Sequence, residues 1–205
     1  PHFLYNTLNS VNSLIESREH KIAQKMTIQL SKFLRFSLEN NPDSMINLTE
    51  EISTLNLFMD IEKVRFGERL TFDFIIEKQA EKAKIPSLLL QPIVENSMKH
   101  VIAKNEDGGT IKIRAKIVEN RLILELSDTG SGEIVDKRLF DKFQCKGVGL
   151  RNTNERLKVI YLNDYTFNMQ ILPSGALKST INIPYDYEKM DTTKPQEDKI
   201  QELLI

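Results

Sequence analysis

Residues 111–132 read IKIRAKIVENRLILELSDTGSG, and their pattern decides the fold. Ile111, Ile113, Ala115 and Ile117 alternate with Lys112, Arg114 and Lys116. After Glu119-Asn120, Leu122, Leu124 and Leu126 repeat the alternation. A period of two with one apolar side marks a half-buried strand, so the stretch is a β-hairpin with a single face to cover. The second strand runs directly into Ser127-Asp128-Thr129-Gly130-Ser131-Gly132. Asp128 therefore stands at the end of a buried strand, where its carboxylate can accept a hydrogen bond from an exocyclic amine such as that of adenine. The glycines after it allow a turn and close approach of backbone to a ligand. The same Asp-x-Gly-x-Gly spacing also makes an ordinary tight turn.

Outward from the hairpin the elements alternate. Upstream, Met45–Leu48 suits a short strand, and Thr49 is an N-cap candidate with Glu50 and Glu51 in the first turn. That helix carries Ile52, Leu55, Met59 and Glu62 to Phe66, with Gly67 as terminator. Leu70, Phe72, Phe74 and Ile76 mark a strand. Pro86-Ser87 opens a helix reaching about Ile102, with Pro92 kinking it or lying near its first turn. Downstream, residues 129–149 hold four glycines and form a long loop; a helix at about 150–162 and strands near 166–172 and 176–184 follow. The expected class is α+β, an α/β sandwich whose mixed sheet carries helices on one face.

Residues 1–40 differ in character. Leu4, Leu8, Val11 and Ile15 form an apolar stripe, and His2, Asn6, Asn9 and Ser13 a polar one. The pattern breaks at Ser17–Glu19 and resumes at Ile22, Met26, Leu30, Phe33 and Leu34, which predicts an antiparallel helical hairpin. Three regions are expected: a helical dimerisation region over 1–44, a catalytic domain over 45–187 and a polar tail over 188–205.

The composition narrows the chemistry. With 28 Lys+Arg against 29 Asp+Glu and a net charge of −1, nothing argues for nucleic acid. Cys145 is the single cysteine, so neither a disulfide framework nor a cysteine-rich metal site is built. The chain opens at Pro1-His2 with a helical pattern already under way, and reads as a fragment of something longer.

Two further clusters carry chemistry. In Glu95-Asn96-Ser97-Met98-Lys99-His100, helical spacing places Asn96, Lys99 and His100 on one face. A carboxamide oxygen is a hard neutral ligand for Mg²⁺, and a lysine one turn on reaches a phosphate as a point charge. In Gly147-Val148-Gly149-Leu150, glycines precede a helix whose N-terminal N–H groups suit phosphate oxygens. Singly, each cluster also suits an ordinary helix flank or loop.

Jointly, over residues 88–157, the clusters resemble the asparagine box and two glycine boxes of the Bergerat ATPase fold, shared by histidine kinases, a class of heat-shock chaperones, gyrase-type topoisomerases and mismatch-repair ATPases. The start, PHFLYNTLNSVNSLI, resembles the phosphoacceptor region of the LytS-like sensor histidine kinases, and LSKFLRFSL, INLTEEISTLNLFMDIEKVRFGERL and IPSLLLQPIVENSMKHVI extend the likeness to about residue 187. The resemblance implies ATP-dependent phosphorylation of His2 and transfer of the phosphoryl group to an aspartate of a response regulator. It implies Asn96 as Mg²⁺ ligand and Asp128 as adenine contact. Lys99, His100 and Leu150 join the nucleotide site, and Gly130, Gly132, Gly147 and Gly149 shape its lid. Glu95 is offered as acceptor of the imidazole proton, and Asn6 as the residue orienting a water for dephosphorylation. A homodimer is implied, as is the cytoplasmic portion of a bacterial inner-membrane protein whose membrane segment lies N-terminal to this stretch. Two departures from the broader kinases, Phe3 where an acid follows the histidine and Pro92 where a second asparagine stands, are usual in the LytS-like group. The rival readings are another Bergerat ATPase and a degenerate, dimerising relay module.

Overall fold

The computed structural model describes residues 2–39, 44–99, 108–129, 148–172 and 175–185. In chain order the elements are α1 (His2–Glu16), α2 (His20–Glu39), β1 (Met45–Asn47), α3 (Leu48–Phe66), β2 (Leu70–Ile76), β3 (Lys84–Pro86), α4 (Gln91–Ser97), β4 (Gly109–Val118), β5 (Arg121–Asp128), α5 (Val148–Tyr161), β6 (Thr166–Ile171) and β7 (Leu177–Pro184). The fold is α+β with a mixed five-stranded sheet in the order β2-β4-β5-β7-β6. β2 pairs with β4 in parallel and the other neighbours are antiparallel. β1 and β3 form a separate two-stranded ribbon.

The central hairpin is the one the alternation predicts. Ile113 faces Leu126 and Leu124 faces Ile181 across the register. Glu119 and Asn120 turn the chain with φ of 48° and 59°, two consecutive left-handed residues as a two-residue hairpin loop requires. One sheet face is buried through Ile111, Ile113, Ala115, Leu122, Leu124, Leu126, Ile181 and Ile183. It packs with Leu55, Phe58, Ile93, Val94, Leu150 and Leu157 from α3, α4 and α5 in one core. Leu and Ile dominate this layer because each removes roughly 1.5–3 kcal/mol worth of apolar surface from water.

Two local expectations change. The N-cap of α3 is Asn47, not Thr49: its N–H donates to Glu50 Oε2 at 2.8 Å, while Thr49 Oγ1 instead reaches the carbonyl of Glu81. The helix expected from Pro86 begins at Gln91, since Pro86 is spent in β3 opposite Met45 and Leu88 sits at φ 55°. Pro92 then lies in the first turn of α4, where its missing N–H costs nothing.

The packed face of α1 is also rotated from the expected stripe. Thr7 is buried and Phe3, Leu4, Val11 and Leu14 are half-buried, but Leu8 and Ile15 remain half-exposed and Tyr5 more so. α2 buries Met26, Leu30 and Phe33 as predicted and leaves Ile22 outside. The hairpin lies on α3: Gln29 Nε2 donates to Asp60 Oδ2 at 2.7 Å, and Phe33 joins the sheet-domain core. None of the described helices is long and apolar enough to cross a membrane.

Candidate functional site

Asp128 is the last residue of β5, on the same face as Leu122, Leu124 and Leu126, because two-residue periodicity carries it there. The residue is buried, and its Oδ1 accepts the N–H of Leu177 at 2.9 Å, tying the end of β5 to the start of β7. Thr129, next along, exchanges two bonds with Thr110: its N–H donates to the Thr110 carbonyl at 3.1 Å and its Oγ1 accepts the Thr110 N–H at 3.2 Å. The carboxylate is thus held at the rim of the sheet by backbone geometry.

Asn96 sits in the last turn of α4, half-buried beside the fully buried Ser97. Gly149 lies in the first turn of α5, where a Cβ would meet Pro92 Cβ at 3.4 Å, so the glycine brings the start of α5 against the start of α4. Leu150 beside it is buried in the core, and Thr153 Oγ1 donates to the Gly149 carbonyl at 3.0 Å. The structure therefore brings α4 and α5 together, and Leu122, Leu124 and Leu126 of β5, the strand that ends at Asp128, share a core with α4. His100, Gly130, Gly132 and Gly147 lie outside the described residues, as does Cys145.

What positions α4 is Glu51, which sequence reading takes for a charge in the first turn of α3. It is 1% exposed and in phase with Leu55, Phe58 and Glu62 on the buried side of α3. Its two oxygens accept the N–H groups of Leu88 and Leu90 at 2.8 and 2.9 Å, satisfying donors immediately before α4. Burial pushes its carboxyl up to about 7, against the lowering effect of those N–H groups and of Arg156. Arg156, from α5, donates to the Ser87 carbonyl at 2.6 Å, so α3, the 87–90 turn and α5 are locked around one buried acid. An acidic residue in register with an apolar stripe was the signal for it.

A second centre lies where α1 meets this domain. A cleft of about 410 Å³ is lined by Phe3 and Asn6 of α1, Phe58, Glu62, Arg65 and Phe66 of α3, and Glu95, Met98 and Lys99 at the end of α4. The predicted residues Asn6, Glu95 and Lys99 are therefore brought together; Asn96 is on the same turn but is not part of the cleft wall. Glu95 is exposed and accepts Gln91 Nε2 at 2.7 Å. His2 is the first residue of α1, one turn before Asn6. Glu62, 3% exposed, accepts two contacts from Arg65 Nη1 at 2.5 and 2.7 Å. Burial raises the Glu62 carboxyl above its ordinary range, with Arg65 opposing. His20 opens α2 at the far end of the hairpin, away from this cleft.

The fold places the chain in a class, that of histidine kinase catalytic domains, with a helical hairpin leading into it. Residues 1–70 match the family model described as histidine kinase. The chain is 30% identical over 186 residues to the sensor histidine kinase BtsS of Escherichia coli K12, covering 90% of this chain and 32% of that protein. It is 25% identical over 197 residues to the sensor protein LytS of Enterococcus faecalis, covering 93% and 33%. Among solved structures it is similar to the catalytic domain of histidine kinase ThkA, with a TM-score of 0.53, 16% identity, and coverage of 69% of this chain and 96% of that one. ThkA in complex with response regulator protein TrrA also matches, with a TM-score of 0.50 and 14% identity over 92% of this chain and 60% of that one. By its first 70 residues the chain belongs with the histidine kinases, and over about nine tenths of its length it is similar to the sensor kinases LytS and BtsS. It spans about a third of the length of those curated relatives.

Proposed function

We propose that this chain is the catalytic core of a two-component sensor kinase that moves the γ-phosphoryl group of ATP to His2 and then to an aspartate of a response regulator. The observation that carries this reading is the shared cleft: the first turns of α1, which begin at His2, line the same cavity as Glu95 of α4 and Lys99 just beyond it. A cleft shared by the acceptor helix and the end of α4 supports a reading in which an imidazole is presented to a nucleotide there.

The residues divide the work. Asp128, buried at the β5 rim, receives the adenine amine; Gly149 lets backbone approach the phosphates; Lys99, exposed at the cleft, offsets phosphate charge. The half-buried carboxamide of Asn96 is the kind of hard oxygen that would hold Mg²⁺, whose chemistry is to neutralise charge on the β- and γ-phosphates. Glu95 takes the imidazole proton, and Asn6 orients water when the phosphohistidine is hydrolysed. His100, Gly130, Gly132 and Gly147 are assigned to the nucleotide site and its lid by family alone. Rate enhancement comes from positioning and charge placement, as phosphoryl transfer requires.

The organisation follows. Residues 1–44 act as the acceptor and dimerisation region, and 45–187 as the ATP-binding domain. The face of α1 and α2 carrying Tyr5, Leu8, Ile15, Ile22 and Ile28, each at least 41% exposed, is the surface for a second copy, since a helical hairpin completes its core as a four-helix bundle. The receiver domain of a response regulator is the partner, as in the ThkA–TrrA complex, and attachment to a membrane runs through the N-terminal part of the longer protein. The test is incubation of the full-length protein with γ-labelled ATP. Wild type should gain acid-labile, base-stable label, and His2→Gln and Asn96→Ala should not. ATP turnover without label on the protein would point to a different ATPase.

A further inference from the structure

The cleft between α1 and α4 holds a residue that the reading above leaves without a task. Arg65 stands in the last turn of α3 and forms part of the cleft wall with Asn6, Glu95 and Lys99. A guanidinium in that position is held on two sides. Its Nη1 makes both contacts to the Glu62 carboxylate, and its carbon lies 5.3 Å from the centre of the Phe66 ring. Among the described residues Nε and Nη2 make no hydrogen bond. Burying Glu62 carries a desolvation cost that a single surface ion pair does not repay. What the pair achieves is a fixed guanidinium in the cleft wall, with one nitrogen anchored and the remaining donors not taken up by Glu62. Planar, permanently charged and pre-organised, such a group matches phosphate oxygens in a way lysine does not.

We propose that Arg65 contacts the phosphoryl group during its transfer to His2, with Glu62 as the residue that positions it. The proposal rests on the autophosphorylation reading. In the step, a lone pair of one imidazole nitrogen forms the N–P bond while the bond from the γ-phosphorus to the bridging oxygen breaks. ADP leaves with that electron pair, and the proton on the other ring nitrogen passes to Glu95. Charge spreads onto the three equatorial oxygens as the bonds exchange, and a donor aimed there lowers the barrier without tightening ground-state binding. Arg65 reaches the cleft from the last turn of α3, whereas Lys99 reaches it from just beyond α4.

The experiment uses the full-length protein and compares wild type, Arg65→Lys, Arg65→Ala, and the paired variant Glu62→Gln with Arg65→Gln, which avoids leaving a buried carboxylate unpaired. Three readouts are taken: initial rate of label incorporation, affinity for a fluorescent ATP analogue, and melting temperature. The expected result is a labelling rate lower by about 100-fold or more in Arg65→Ala and the paired variant, with nucleotide affinity within about twofold of wild type. Arg65→Lys should retain an intermediate rate, and millimolar methylguanidine should restore part of the Arg65→Ala rate. A folded paired variant that labels at the wild-type rate overturns the proposal. So does a variant whose affinity falls in step with its rate, and so does failure of both the paired variant and Arg65→Lys to fold, which makes Arg65 a structural residue. Wild type that takes up no label defeats the autophosphorylation reading, and this proposal with it; labelled wild type with unaffected Arg65 variants defeats this proposal alone.

Discussion

The ring of Phe3 lies 4.8 Å from that of Phe58, centroid to centroid, and 5.2 Å from that of Phe33, edge-on. Phe3 belongs to the first turn of α1 and Phe58 to the middle of α3, so the three rings clamp the start of α1 onto the sheet domain. The residue after His2 is an acid in the broader kinases, and a carboxylate among these rings would lose water against aromatic surface. Here that position serves packing.

Phe3→Ala therefore separates docking from nucleotide binding. Because Phe3 is half-buried, its loss should cost about 2 kcal/mol, below the ~3–5 kcal/mol of a fully buried ring. Denaturant unfolding measures that cost. Label incorporation should slow by more than tenfold while ATP affinity stays near wild type, since α1 is loosened and the β5 rim is untouched. Equal losses of rate and affinity would mean that the clamp supports the whole domain and not the approach of α1.

Glu51 gives a prediction in pH. Its carboxyl is raised from 4.5 to about 7 by burial, so the folded protein holds this proton more tightly than the unfolded chain does. A raised carboxyl contributes stability that is fully present below pH 4.5 and is lost as pH rises through about 7. Relative to Glu51→Gln, wild type should thus lose stability between pH 5 and pH 8, by on the order of 3 kcal/mol. Comparing the two proteins at both pH values cancels the groups they share. A difference of opposite sign would show that the Leu88 and Leu90 N–H groups outweigh desolvation and hold the acid ionised.

The parts of the fold that announce themselves in sequence are those whose period is their own cause. The alternation in 111–126 is the buried face of β4 and β5, and it delivers Asp128 to the sheet rim without further information. The apolar recurrence at Met26, Leu30 and Phe33 is likewise the inner face of α2. What sequence hides is whatever depends on a distant partner. β3 is three residues long and exists because Met45–Asn47 pairs with it. The start of α4 is set by Glu51, nearly forty residues away. The orientation of α1 is set by Phe33 and Phe58, which override the tidier Leu4–Ile15 stripe. In the site, Asn6, Glu95 and Lys99 carry recognisable chemistry, but Glu62 and Arg65 look like one of many helical ion pairs until the cleft is seen.

Gly108 and Gly149 should respond oppositely to alanine. Gly108 has φ of +78°, and a Cβ there would fall 2.0 Å from the carbonyl oxygen of Arg69, which is backbone and cannot move aside. Strain and overlap together should destabilise Gly108→Ala by about 3 kcal/mol or more. Among the described residues a Cβ on Gly149 meets only Pro92 Cβ, at ordinary contact distance, and helix position 149 gains from the swap. Gly149→Ala should change stability by under about 1 kcal/mol in either direction. Thermal melts of the two variants decide this. If the second variant melts with wild type and yet binds ATP poorly, the glycine serves approach to the phosphates.

Asp128→Asn tests the assigned adenine contact without dismantling the rim. The Leu177 N–H, bound to Oδ1 at 2.9 Å, needs one acceptor oxygen, and asparagine still offers one. The substitution should therefore lower stability by only about 1 kcal/mol, the difference between a charged and a neutral acceptor. The other carboxylate oxygen becomes an NH₂ group, a donor that cannot accept from the exocyclic amine of adenine. ATP affinity should fall by about 10- to 100-fold, the loss of a charge-assisted hydrogen bond plus an amine left facing an amine. Guanine carries a carbonyl oxygen where adenine carries that amine, so affinity for GTP should fall less or rise. The ratio of ATP to GTP affinity, measured by competition against a fluorescent nucleotide, is the discriminating quantity. An unchanged ratio would remove Asp128 from base recognition and leave it as the residue that fastens β5 to β7.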